Sequence, residues 1–302
     1  MSAATPLAGS AGPFAALTPD GSRLHLQHGP IDLIVEAFGR PTQVRDAYAR
    51  AWDRFRTILD ELVAELPLLR RPLGEPPSGA VARRMAVAVR PFADVFITPM
   101  AAVAGAVADE VLAATIQDGD LDRAYVNDGG DIALFLTPGE RFDVGLVPVP
   151  DQPALLGTAT ILASDPARGV ATSGRGGRSF SFGIADAVTV LANSGARADA
   201  AATVIANAVD LPGHRAVSRT AANALAPDSD LGDRPVTVEV GPLGADEVAA
   251  ALDAGLAEAE RRRAGGLIEA AVLCLRGQVA VAGPVIASAA GRPDEISARA
   301  RR

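Results

Sequence analysis

The chain has 302 residues, 49% of them apolar and 21% charged, with a net charge of −8, so it can bury a large core as one large domain or two intimate ones. No basic run and no aromatic-interleaved basic stripe occurs, which disfavours a nucleic-acid partner. The single Cys274 cannot close an intramolecular disulfide, neither a Cys pair nor a His cluster offers zinc ligands, and all 28 basic residues are Arg, which removes any P-loop lysine and any Schiff-base chemistry.

The opening MSAATPLAGSAGPF has neither a basic start nor an apolar core of signal-peptide length, and no stretch reaches the roughly 20 apolar residues of a membrane span. With the lone cysteine, this predicts a cytoplasmic protein without a membrane partner. Residues 23 to 39 alternate Leu24, Leu26, Ile31, Leu33 and Val35 around His28-Gly29-Pro30, the pattern of a β-hairpin with one buried face. From Pro41 the apolar spacing changes to three and four, through Val44, Tyr48, Trp52, Phe55, Ile58 and Leu62, which predicts an amphipathic helix ending before Pro67. Residues 67 to 84, rich in Pro and Gly, are expected to be a loop. Thr98 as N-cap and Pro99 at the first helical position open a helix of small residues over 98 to 115.

RAYVN then reads as a strand and DIALFL as its return, joined at Asn127-Asp128-Gly129-Gly130-Asp131. The glycines can supply positive φ or a close approach. Asn127, Asp128 and Asp131 either cap the turn or present oxygens to a ligand. A second glycine-rich stretch, GVATSGRGGR, offers the hydroxyls of Thr172 and Ser173 and the backbone of Gly174, with Arg175 and Arg178 on either side of Gly176-Gly177. That set suits a phosphate or carboxylate, or else a solvent loop with two surface arginines. An alternating strand follows from Ala187 to Ala192, then an Ala-rich helix over 196 to 213. On that helix Asp199 and Thr203 are four apart and share one face. As hard oxygen donors they suit Mg²⁺, although a helix-start Asp and a Thr bonded to its own turn would look the same. The last third predicts a strand (236 to 240), a helix (245 to 263) and a hairpin around Arg276-Gly277, with a frayed tail over 290 to 302.

Taken in order and at these separations, NDGGDIAL, VATSGRGGR and ADAAAT resemble the N-x-GGD, ATSG and D-A-x-x-T stretches of the ApbE family of flavin transferases. The motifs cover roughly residues 90 to 210. The resemblance implies a single α+β, T-fold-related domain of antiparallel sheets flanked by helices. It also implies a pocket for FAD, FMN or a related phosphorylated small molecule, lined by Asn127, Asp128, Gly129, Gly130, Asp131, Thr172, Ser173, Gly174, Arg175 and Arg178. Asp199 and Thr203 would hold Mg²⁺, with a backbone carbonyl from residues 102 to 104. Two departures stand out: the family's Lys-Gly-Tyr falls where this chain reads Gly105-Ala106-Val107, and its His-containing stretch where this chain reads Ser181-Phe182-Gly183. The expectation is therefore a cytoplasmic member in cofactor biosynthesis or modification, with a tetrahydromethanopterin-linked role among the readings. FMN transfer from FAD to protein, FAD hydrolysis and non-catalytic cofactor binding are the alternatives, and a homo-oligomer is left open.

Overall fold

The computed structural model describes residues 12–119, 121–146 and 157–284. Strands β1 (Phe14–Leu17), β2 (Arg23–His28) and β3 (Ile31–Phe38) form a meander. Helix α1 (Pro41–Ala64) follows, then the single turn α2 (Leu66–Leu69), α3 (Ala80–Val89) and, after a 3₁₀ segment at Pro99–Ala102, α4 (Val103–Thr115). Next come β4 (Arg123–Asp128), β5 (Asp131–Leu136), β6 (Arg141–Leu146), β7 (Gly157–Leu162), β8 (Gly169–Ser173), β9 (Ala187–Ala192) and α5 (Gly195–Ala208). The described chain continues through β10 (Val217–Ala221), the short α6 (Ala222–Leu225), β11 (Pro235–Val240), α7 (Ala245–Ala264), β12 (Ala270–Leu275) and β13 (Gln278–Ala282).

Nine strands pair in the order β1-β2-β3-β4-β5-β8-β9-β12-β13, every pairing antiparallel. Two separate ribbons, β6-β7 and β10-β11, lie outside this sheet. Because strand side chains alternate between faces, the register assigns each residue a side. Leu26, Leu33, Val35, Val126, Ala133, Ala171, Val190 and Leu273 all enter one buried cluster with Phe55, Ile58, Met85, Val111 and Ile205 from the helices. The helices therefore cover one face, called here the helix side. Part of the opposite face is covered by β6-β7, through Ile161 against Leu134, Leu136 and Val170. This is an α+β fold, with helices on one side of a single large antiparallel sheet.

Residues 67 to 84 are not a continuous loop: Leu66–Leu69 makes one helical turn, and α3 already begins at Ala80. The apolar positions Val81, Ala82, Met85, Ala86 and Val89 give that stretch a buried helical face, and this outweighs its Pro/Gly-rich start. Thr98 does not cap a helix with its side chain. Pro99 opens a 3₁₀ turn, and the Thr98 hydroxyl donates instead to Asp230. Strand β9 is buried on both faces rather than alternating, as its central place in the sheet requires. The tail over 290 to 302 lies outside the described residues.

Candidate functional site at the β4-β5 tip

The β4-β5 hairpin closes on two residues, with Gly129 at φ 62° and Gly130 at φ 114°, a conformation that side-chain-bearing residues rarely adopt. The Gly130 N–H donates to Asn127 Oδ1 at 2.8 Å and fixes the turn. Asp128 and Asp131 stand directly opposite each other across the strands. In register Asp128 also pairs with Leu33, which places both carboxyls on the helix side. Asp128 is only 5% exposed, whereas Asp131 keeps partial exposure and accepts the Thr172 N–H at 3.2 Å.

Helices α4 and α5 bring the third carboxylate. Both carry the same pattern in their first two turns, GAVAD at 105 to 109 and GARAD at 195 to 199, and they cross where the two glycines meet. A Cβ on Gly105 would lie 2.2 Å from the Gly195 carbonyl oxygen, so only glycine permits the contact. Each Asp then caps the other helix. Asp109 accepts the N–H groups of Gly195 (2.8 Å) and Ala196 (2.9 Å), and Asp199 Oδ2 accepts the Gly105 N–H at 3.1 Å. The pairing is reciprocal, but its surroundings are not. Asp199 lies within electrostatic reach of Asp131 and Asp128 and is followed four residues later by Thr203. Asp109 is followed four residues later by Ala113 and faces a cavity of about 260 Å³ with Arg84 and Arg197. Helix capping accounts for an Asp at both positions; it does not account for the hydroxyl and extra carboxyls at one of them.

Burial, and then the neighbouring Asp131, push the Asp128 carboxyl up to about 7, against the pull of Arg178. Burial likewise raises Asp131 to about 7, opposed by the Thr172 N–H and Arg178. Asp199 lies well above the usual carboxylate range, through burial first and the Asp131 charge second, even though two α4 amides stabilise its ionised form. The three carboxyls are thus within electrostatic reach of one another, and burial favours their protonated forms. Among the described residues no group of three or more His, Cys, Asp or Glu is arranged to hold a metal by itself. The Thr203 hydroxyl is half-buried and makes no intramolecular hydrogen bond among the described residues. As hard oxygen donors one turn apart on α5, Asp199 and Thr203 have the chemistry that Mg²⁺ takes when water and ligand oxygens complete its shell.

The register divides the other motif residues between the two faces. Ser173 alternates onto the helix side, but Thr172 turns the other way and shares a 2.8 Å hydrogen bond with the Thr189 hydroxyl, leaving only its amide for Asp131. Asn127 also faces away from the helices. With Asp32, Ile34, Gly129, Gly130 and Arg178 it lines a cavity of about 270 Å³. The Arg178 guanidinium lies so close that a Cβ on Gly129 would be 2.1 Å from it. Arg175 is held by Asp186 at 2.9 Å, and Gly174 approaches the Asp186 carbonyl in a backbone conformation of φ 153°. Asp109, Gly105 and Gly195 were not among the candidate residues, although the repeated G-A-x-A-D is visible in the sequence.

A family model described as "AbpE bacteria" matches residues 15–281. The UPF0280 protein of Methanothrix thermoacetophila is 36% identical over 171 residues, covering 51% of this chain and 65% of that protein. Its counterpart from Methanopyrus kandleri is 38% identical over 167 residues, covering 53% and 63%. The chain thus spans under two thirds of these relatives' lengths. Among solved structures, the apo flavinyl transferase ApbE of Pseudomonas stutzeri is similar at 14% identity and a TM-score of 0.46, covering 92% of this chain and 96% of that one. The flavin transferase ApbE of Vibrio cholerae is similar at 12% identity and a TM-score of 0.39, covering 91% and 97%. The family model spans most of the sheet and the whole of the α4-α5 pair, and the chain belongs to this AbpE bacteria family.

Proposed function

We propose that the chain binds a flavin nucleotide or a related phosphorylated cofactor at the helix-side end of the β4-β5 hairpin, with Mg²⁺ at Asp199 and Thr203, and that it serves cofactor modification or biosynthesis. Family membership supports flavin-related chemistry in general. The single observation that carries the more specific reading is the asymmetry of the reciprocal caps: only the Asp199 end has a free hydroxyl one turn away and two further carboxyls within electrostatic reach. Bound Mg²⁺ would supply charge neutralisation at the phosphate oxygens. Asp199 would orient that ion while its second role, receiving the α4 amides, keeps its side chain in one position. Asp131, steadied by the Thr172 amide, can hold or release a proton near neutral pH.

A second reading, a pterin-like or other phosphorylated precursor in place of a flavin, is favoured by one observation. Phe182 and the lysine-free composition remove the His and Lys contacts that the family's flavin chemistry would use. Calorimetry with Mg²⁺ and inorganic pyrophosphate tests the shared part of both readings. Heat of binding should depend on the metal and vanish in Asp199→Ala; the same heat in both proteins would remove the proposed metal site.

A further inference from the structure

The turn at Ser181-Phe182-Gly183 is tied down from several directions. Asn207 Oδ1 accepts the Phe182 N–H at 2.9 Å and the Ser181 hydroxyl at 3.1 Å, and the Ile184 N–H donates to the Val209 carbonyl at 2.8 Å. From β11, the Thr237 N–H donates to the Ser181 carbonyl (2.8 Å) and the Thr237 hydroxyl to the Phe182 carbonyl (3.2 Å). Gly183 rests directly on the end of α5, where a Cβ would sit 2.1 Å from the Ala206 carbonyl oxygen. With its backbone fixed in this way, Phe182 keeps a half-buried ring outside the main core. That ring meets Phe96 edge-on, with centroids 6.1 Å apart at 62°, and the Arg234 guanidinium lies 3.5 Å from the Phe96 centroid. The β10-β11 ribbon and its connecting loop thus hold both aromatic segments, since Asp230 of the same loop also accepts the Thr98 hydroxyl.

Asn207 links this turn to the candidate site. Asp199, Thr203 and Asn207 follow one another at steps of four along α5, on neighbouring parts of one helix face. Eight residues of helix rise about 12 Å, the scale on which a nucleotide-type cofactor separates its ring from its phosphates. The segment carrying Phe96 leads into the 3₁₀ turn at Pro99–Ala102, which runs on to Gly105 beside Asp199.

We infer that Phe182, with Phe96 beside it, is a stacking platform for the planar heteroaromatic ring of the cofactor whose phosphates lie at Asp199 and Thr203. This rests on the proposed reading of those two residues as the phosphate end. A ring-binding surface benefits from a backbone ordered in advance, because the ordering cost is then absent from the binding step. Arg234 covers part of Phe96, and the edge-to-face contact leaves Phe182 with aromatic surface for a third ring. The same chemistry recognises either ring of a dinucleotide, isoalloxazine or adenine.

The test uses the full chain with Mg²⁺ and three probes: FMN, AMP and inorganic pyrophosphate. Affinities are read by calorimetry and ligand ring protons by NMR, for the parent, Phe182→Ala, Phe182→Trp and Asp199→Ala. In the parent, one of the two ring-bearing probes should show upfield ring-proton shifts, and which one identifies the ring. Phe182→Ala should abolish those shifts and weaken that probe roughly three- to tenfold, leaving pyrophosphate unchanged, and Phe182→Trp should restore both. Absence of ring shifts in the parent, unchanged shifts in Phe182→Ala, or equal weakening of pyrophosphate would overturn the platform. Ring shifts that need Phe182 but survive with pyrophosphate binding intact in Asp199→Ala would uphold the platform and instead overturn the metal site.

Discussion

Asp128 and Asp131 occupy a position that sheet packing alone would fill with apolar residues, since like charges directly opposite on neighbouring strands destabilise the pair. Val126 and Ala133, the next pair inward on the same face, show the usual solution. Burial raises both carboxyls and so favours their protonated forms in the fold. Both have folded-state values of about 7, against about 3.9 for an Asp in the unfolded chain. Below the unfolded value both states are protonated, and the favourable contribution is fully present. As pH rises towards 7 the unfolded chain has already released protons that the folded chain still binds, so stability falls. Thermal melts in chelator should therefore give a lower Tm at pH 8 than at pH 5.5. Asp128→Asn should flatten that difference and raise Tm at pH 8, each kcal/mol recovered being worth about 2–4 °C. Identical pH dependence in the variant and parent would show that the pair is not what the fold titrates against. The sequence stretch NDGGD displayed the turn plainly, because two glycines between strand-forming runs leave little else. It did not display which of Asn127 and Asp128, alternating as neighbouring strand residues must, looks to the helix side. That follows only from the pairing of β4 with β3 at Leu33, a long-range register that no local pattern encodes.

At the level of elements, the α4-α5 crossing is the rigid frame of the site. A methyl group at residue 105 would meet backbone atoms of Gly195, which cannot rotate away as a side chain could. Gly105→Ala should cost about 1–3 kcal/mol or more, read as a drop in Tm, even though alanine is the better helix former. A Tm equal to the parent's would mean that the helices can separate freely. The reciprocal caps allow a sharper comparison. Asp109→Ala should lower stability by about 0.5–2 kcal/mol through loss of the α5 cap and leave Mg²⁺-pyrophosphate binding intact, whereas Asp199→Ala should lose that binding. Equal loss of binding in both would place the effect in helix geometry rather than at a metal. Much of this level was readable in advance. The three-and-four spacing of Tyr48, Ala51, Phe55, Ile58 and Leu62 marks α1, and Arg276-Gly277 marks the β12-β13 hairpin. The β10-β11 ribbon was only half visible. β11 has the alternation of PVTVEV, but β10 reads VSRTA with no fully buried position, so its strand character comes from pairing rather than from composition. Arg175 illustrates the same limit at the site, since its partner Asp186 lies across a loop whose folded path the sequence does not state.

On the scale of the whole molecule, the fold decides where the three histidines end, and with them the kind of catalysis available. His25 lies on the face away from the helices, its Nε2 2.8 Å from Asp32. His214 is engaged by Glu247 at 2.8 Å, beyond the end of α5. His28 does reach the helix side and is buried, with Nδ1 lacking a partner among the described residues. It stands on β2, two strands away from Asp128 and two residues further along, which places their backbones about 12 Å apart from strand spacing and rise. None of the three occupies the Ser181–Gly183 turn, and the chain has no lysine to substitute. Transfer of FMN from FAD to a protein hydroxyl requires the dinucleotide held at both ends and a group that takes the proton of the attacking hydroxyl. Here Asp128 and Asp131 can accept a proton, but they also lie within electrostatic reach of Asp199, the proposed metal ligand. Losing one dedicated acid or base typically costs about 10² to 10⁴ in rate. Incubation with FAD, Mg²⁺ and a flavin-acceptor domain should therefore give faint covalent flavin on the acceptor, with FAD binding retained. Robust transfer that disappears in Asp199→Ala would overturn this expectation and make flavin transfer the chain's principal chemistry.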